Sequence, residues 1–282
     1  MKKDLLSLNA KSFFWASFFL SKDIYIKCSI LYDFCRTLDD IADEFNDLEI
    51  KRKNFFKFKE SFSNKSSENL IIRNMWNILE SEKISKKIVY DLFDGVESDL
   101  FNEVKINSKK DLLVYSYRVA GTVGLMMSKI LKVNNKASFK GAVNLGIAMQ
   151  LTNIARDVME DKKRNRKYID CNFSVIKETI NTAEIFYQKS FYSIKAIPLR
   201  SRFSVIVARR IYKKIGDYIL KQKNIENYNI AGKIYVPFIG KILETILSVG
   251  DFFKLIFIKN INYSYEENHS IINEEINLDE RI

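Results

Sequence analysis

The sequence predicts an all-α protein, and three observations carry that expectation. Apolar residues recur at three- and four-residue spacing along nearly the whole chain, which is the spacing of one helix face. Only two prolines, Pro198 and Pro237, and nine glycines interrupt 282 residues, so helix breakers are few. With 47% hydrophobic residues the chain can bury a sizeable core and lacks the composition of a disordered protein. Loop signals are confined to SNKSSEN (63–69), KVNN (132–135), IPLRS (197–201) and NIENYN (224–229). The segments between them have helical length, with no repeat and no composition shift. One domain over residues 1–262 is expected, followed by a polar, acidic tail at 263–282 that is expected to be disordered.

Taken in order, the first stretch, MKKDLLSLNAKSFFWASFFLSK (1–22), has the lysines and apolar run of a signal peptide. Asp4 and Lys11 interrupt it and no small-x-small cleavage site follows, so it is read as part of the domain. Next, residues 30–45 wound as a helix bring Arg36, Asp39, Asp40 and Asp43 onto one stripe, with Ile30, Leu38, Ile41 and Ala42 elsewhere. Like charges at this spacing destabilise a helix modestly. By itself the stripe is either a solvated face or a metal clamp.

A second polar stripe lies in MQLTNIARDVMEDKKRNRKYI (149–169), where Gln150, Asn153, Asp157, Asp161 and Arg164 share one side. Leu151, Ile154, Ala155 and Val158 flank it and would enter the core. Buried amides and carboxylates need hydrogen bonds or metal ions, so two such helices suggest a shared cavity. If the stripes face each other, Asp39, Asp40, Asp43, Asp157 and Asp161 surround one space, and divalent cations would relieve their repulsion. Oxygen-only ligands point to Mg²⁺, or Mn²⁺, bridging carboxylates to substrate phosphates. Arg36, Arg156, Arg164, Arg166 and Lys11 are then candidates for the remaining phosphate oxygens. No Ser-His pair and no glycine-rich phosphate loop is present, which disfavours acyl transfer and P-loop hydrolysis. Metal-assisted departure of diphosphate, in a cavity that protects a carbocation, remains.

The stretch FIGKILETILSVGDFFKLIFIKN (238–260) is amphipathic with basic ends. Its apolar part, 242–258, contains Glu244, Asp251 and Lys254 and is too short and charged to span a bilayer. It is expected either to close the core or to touch a membrane surface peripherally. The net charge is +11, and the last twenty residues hold six acids against Arg281, so the body is more basic still and suits anionic partners. The basic residues are scattered among apolar helices, so nucleic acid is not an expected partner. Cys28, Cys35 and Cys171 form no CxxC pair and His269 is the single histidine, which supports neither a disulfide framework nor a zinc site. A reducing cytoplasm is the expected compartment, with contact at the inner face of the membrane.

Four ordered blocks, AKSFFWAS (10–17), LYDFCRTLDDIADE (31–44), YSYRVAGTVGLMM (115–127) and QLTNIARDVMEDKKRNRKYI (150–169), resemble the phytoene/squalene synthase family, the head-to-head prenyl transferases. The resemblance covers most of the first 170 residues. Asp39-Asp40-Ile-Ala-Asp43 alone also looks like the DDxxD of chain-elongating prenyl transferases and terpene cyclases. Gln150, Asn153, Arg156, Asp157 and Asp161 are similar to the head-to-head type. The resemblance implies an isoprenoid synthase-type helical bundle around a central cavity. It also implies a two-step reaction, in which two prenyl diphosphates join to a cyclopropylcarbinyl diphosphate that ionises again and rearranges to a linear product.

The same resemblance implies Mg²⁺ on both aspartate motifs and diphosphate contacts from Lys11, Ser12 and Arg36. Tyr115 and Tyr212 are implied as aromatic residues near the reacting carbons, Tyr212 through the pattern ARRIYKKIGDYI (208–219). The small residues of VAGTVG (119–124) and GAVNLGIAM (141–149) fit close helix packing, room for two prenyl chains, or both. Two positions depart from the family pattern: Asn9 replaces the usual His or Ser, and Asp170 replaces a proline. Eukaryotic squalene synthases use NADPH and carry a C-terminal membrane helix; this sequence shows no dinucleotide fingerprint and no such helix, so NADPH is not expected. The implied product is phytoene from two geranylgeranyl diphosphates. The enzyme alternative is a farnesyl diphosphate-using presqualene diphosphate, squalene or dehydrosqualene synthase. The alternative of another class is a non-catalytic assembly factor of the same fold, against which the five aspartates speak.

Overall fold

The computed structural model describes Leu6 and residues 10–44, 47–258 and 266–282; Asn9 lies outside them. The chain winds into α1 (Lys11–Ser17), α2 (Lys22–Asp43), α3 (Leu48–Ser63), α4 (Leu70–Ser81), α5 (Lys86–Glu97) and α6 (Lys109–Ser116). A π-helical turn, Tyr117–Gly121, joins α6 to α7 (Thr122–Ile130). Then follow α8 (Lys136–Lys163), α9 (Phe173–Phe191), α10 (Leu199–Leu220), α11 (Ile225–Ala231), α12 (Phe238–Phe257) and α13 (Glu266–Asn273). The strands described are β1 (Val104–Lys105) and β2 (Arg166–Lys167), paired in parallel.

Local chemistry sets many of the boundaries. The side chains of Asn69, Asn135, Asn172 and Asn224 accept hydrogen bonds from backbone N–H groups in the first turns of α4, α8, α9 and α11, satisfying donors that a helix start leaves open. Asn224 thereby turns NIENYN, read from sequence as a loop, into the start of α11. Three ends are closed by lysines in the left-handed region, Lys65 (φ 51°), Lys83 (φ 53°) and Lys132 (φ 63°), with Ser66 N–H donating to Ser61 O at 2.9 Å after the first. The residue after each donates back across the last turn, Ile84 N–H to Leu79 O at 2.8 Å and Val133 N–H to Ser128 O at 3.0 Å, a wrap more often built on glycine.

The bundle is organised around α8, which buries Phe139, Val143, Ile147, Leu151 and Ile154 along its length and packs on α7, α9 and α10. Its approach to the preceding segment is backbone to backbone. A Cβ at Gly124 would meet Ala142 O at 2.3 Å, and one at Gly146 would meet Ala120 O at 2.2 Å. The small residues of both stretches therefore do form a packing seam. Phe34, Phe55, Phe58, Phe62 and Phe93 make an aromatic core between α2, α3 and α5.

Within the segment expected to be a disordered tail, the described residues 266–282 fold instead. Residues 266–273 form α13, and Ile272, Ile276 and Leu278 are buried in the main core, so the packed unit continues past residue 262. Arg281 donates two hydrogen bonds to buried Asp91, each 3.0 Å, while Glu274 and Glu280 pair with Lys110 and Lys87 at 2.8 Å. Of the acids that made this stretch look solvated, Glu275 and Asp279 also face lysines of the body, Lys110 at 3.6 Å and Lys140 at 3.5 Å. Among the described residues no helix is long and apolar enough to cross a membrane.

Candidate active site

Four elements bring charged and aromatic groups together: the end of α2, the second half of α8, the turn Ser98–Leu100 after α5, and α1 with the segment before α12. The β1–β2 pairing fixes Arg166 just beyond α8. From there it donates to Asp43 Oδ1 at 2.7 Å and to Ala42 O at 3.1 Å. Arg164 reaches the other oxygen of Asp43 at 3.0 Å. The two acidic stripes are thus latched at their ends by arginine–carboxylate pairs, the strongest hydrogen bonds available here.

Within this frame the predicted aspartates differ. Asp40 pairs with Arg36 at 2.6 Å. Asp157 accepts a two-pronged contact from its neighbour Arg156, 2.7 and 2.6 Å, and lies 3.5 Å from Lys233. Among the described residues neither Asp39 nor Asp161 has a direct cationic partner. Asp39 is open to water, yet surrounding protein pushes its carboxyl up to about 7, with Asp43's negative charge adding to the effect. Burial likewise pushes Asp161 up to about 7, helped by Asp157. Both feel a third carboxylate, Asp99. Tyr212 and Cys35 share the combination shown by Asp39, reachable by solvent but enclosed enough to hold their acid groups above the usual range.

The donor set fits a hard divalent cation. It is all oxygen, and two of its carboxylates are held near neutrality by enclosure and by like charge, a penalty that a bound cation reverses. The side-chain oxygen of Asn153 is buried without a hydrogen-bond partner, although its amide nitrogen contacts Gln150 Oε1 at 3.5 Å. No three acidic, histidine or cysteine side chains among the described residues are already gathered at metal-binding distance. The arginine latches hold Asp40, Asp43 and Asp157 in their place.

Two cationic groups gather on the α1 side. The Lys11 ammonium lies 5.7 Å from the Tyr235 ring centre and the Arg156 guanidinium 5.9 Å from it, with Ser12 in the same first turn of α1. Arg36 keeps its buried Nε–H without a partner. Arg164 and Arg166, also expected as phosphate contacts, pair with Asp43 as Arg36 pairs with Asp40 and Arg156 with Asp157.

The two predicted tyrosines are held differently. Tyr212, on α10, has its ring 4.8 Å from Phe13. Tyr115 stacks on Tyr168 at 4.7 Å, donates its hydroxyl to Asp99 Oδ2 at 2.9 Å and lies 2.9 Å from the Tyr168 hydroxyl, which itself donates to Asp99 Oδ1 at 2.5 Å. The π-helical turn begins two residues after Tyr115, and such turns often re-aim side chains at sites. Asp99, Tyr168, Lys233 and Tyr235 were not singled out from the sequence. Tyr168 sits inside a quoted block, but Asp99, Lys233 and Tyr235 carry no motif or periodic signal.

The chain is similar to known proteins in sequence and in fold. A family model described as squalene/phytoene synthase matches residues 7–169, more than half of the chain. A 15-cis-phytoene synthase from Pantoea ananas is 25% identical over 246 residues, spanning 76% of this chain and 79% of that protein. One from Enterobacter agglomerans is 27% identical over 248 residues, spanning 77% and 84%. Among solved structures, a dehydrosqualene synthase in complex with ligand aligns with a TM-score of 0.71 at 25% identity, over 89% of this chain and 94% of that one. On the strength of that family match and of the shared helical fold, the chain belongs to the squalene/phytoene synthase family.

Proposed function

We propose that this protein condenses two prenyl diphosphates head to head through a cyclopropylcarbinyl diphosphate, with geranylgeranyl diphosphate as substrate and phytoene as product. The observation that carries the reading is the pair of acidic stripes on α2 and α8, latched through Asp43, with cationic Lys11, Arg156 and Lys233 on the α1 side. The phytoene synthases of Pantoea ananas and Enterobacter agglomerans support the C20 substrate. The dehydrosqualene synthase alignment favours the second reading, farnesyl diphosphate.

In this reading Asp39, Asp43, Asp157 and Asp161, with Asp40, would hold Mg²⁺ ions, whose charge assists diphosphate departure. Lys11, Ser12, Arg36 and Arg156 bind and orient the diphosphate oxygens by charge-assisted hydrogen bonds. Tyr212, backed by Phe13, offers a ring face to the cation left on the prenyl chain. Tyr115, held by Asp99, keeps its hydroxyl at a fixed position at the edge of the site. Apolar side chains of α7 and α8 exclude water that would quench the cation.

The test is incubation of the purified protein with Mg²⁺ and labelled geranylgeranyl or farnesyl diphosphate, followed by product identification. Phytoene from the C20 substrate is expected. A product from the C15 substrate alone would move the assignment to the second reading, and no condensation from either would overturn both.

A further inference from the structure

Helix α12 is turned inside out. In a surface helix of a globular protein the apolar stripe faces the core and the polar one faces water. Here the polar groups face inward: Glu244 and Asp251 accept from Arg210 at 2.9 and 2.8 Å, and Thr245 accepts from the Trp15 indole N–H at 3.0 Å. Ser248 is fully buried. The outward side carries Phe238, Ile239, Leu243, Ile246, Leu247 and Phe257, each at least half exposed. Phe18, 66% exposed at the end of α1, extends this surface through Trp15, whose ring meets those of Phe238 and Phe18 edge-on at 5.5 and 6.5 Å.

We infer that this face is a docking surface for a negatively charged lipid bilayer. Contiguous exposed apolar surface of this extent marks a membrane or partner contact rather than ordinary solvent-facing surface. The charge pattern chooses between them. Both acids of α12 pair with Arg210, Glu244 buried and Asp251 partly so, and the helix's own remaining charges are the cations Lys241, which donates to Lys11 O, and Lys254, exposed beside the Phe191 and Tyr192 rings. A second copy of the chain docking through α12 would bring no unpaired acid of that helix to meet them, whereas anionic headgroups do.

The face also adjoins the site: Lys241 donates to Lys11 O at 3.3 Å. Docking would therefore bring the diphosphate-binding side close to the bilayer, which can hold amphiphilic prenyl diphosphates and an insoluble product. The surface stands whether or not the proposed reaction does, and its test does not read turnover.

Flotation of the full chain with phosphatidylcholine vesicles, with and without phosphatidylglycerol, tests the inference. The protein is expected to float with the anionic vesicles and to be released by salt. Leu243→Glu with Leu247→Glu should reduce the bound fraction at least tenfold while circular dichroism stays unchanged. Lys254→Glu, which leaves the apolar face intact, should reduce it severalfold. Failure of the unaltered chain to float, or equal flotation of the folded double variant, would overturn the inference. So would a dimer that the double variant dissociates, seen by sedimentation in the absence of lipid binding.

Discussion

Asp99 receives two tyrosine hydroxyls and sits near Asp39, Asp43 and Asp161, so its position is costly to hold and specific in effect. Burial raises its carboxyl above the usual range, while Arg166 and the two hydroxyls work against that rise. Asp99→Asn removes a charge from a crowded acidic region, so the thermal midpoint is expected to hold or rise. Loss of the grip on Tyr115 is expected to lower kcat about ten- to a hundredfold, and steady-state kinetics beside a melting curve checks both. His269 gives a pH signature. It contacts Asn144 Oδ1 at 2.8 Å, and burial, with Lys140 and Lys189 nearby, pulls its imidazole down to about 4, which Asp279 only partly opposes. In the unfolded chain it takes a proton near its ordinary value of about 6.5. Stability from this group is therefore fully present above about pH 6.5 and lost as pH falls towards about 4, by up to about 3 kcal/mol. Urea titrations at several pH values should show a flatter acid limb for His269→Gln.

At the scale of elements, the seam between the Tyr117–Gly121 turn with α7 and the middle of α8 leaves no room for a methyl group at Gly146. Because the obstacle is a backbone carbonyl and not a flexible side chain, Gly146→Ala is expected to cost about 2–3 kcal/mol, read as a lower urea midpoint. That seam was legible in VAGTVG and GAVNLGIAM, since only small residues allow such an approach, and both acidic stripes were legible because helical spacing aligns them. Arg166 was legible as a charge near the site but not as the latch on Asp43, because the β1–β2 pairing that aims it is two residues long and has no pattern of its own. Asp99 was hidden for a related reason: its partners lie 16 and 69 residues away, beyond any local period. The outward apolar face of α12 was visible as amphipathicity, but sequence could not say which side met the body.

For the whole molecule, the ordered C-terminal segment is the largest departure from what composition suggests. Polarity alone implied disorder, yet Arg281 neutralises Asp91, which also accepts the Tyr117 hydroxyl at 2.9 Å. Arg281→Ala leaves a buried carboxylate beside the π-helical turn without its cation and is expected to cost about 3 kcal/mol, with lower cooperativity in thermal unfolding as the check. The latch between Arg166 and Asp43 joins residues 123 positions apart. Bringing such distant points together costs chain entropy of about 4 kcal/mol before any contact offsets it. The latch therefore forms only when distant parts of the chain have come together, and a chain in which they are apart holds its aspartates too far apart to capture a diphosphate. Ligand binding in this protein doubles as a report that the whole bundle has been assembled.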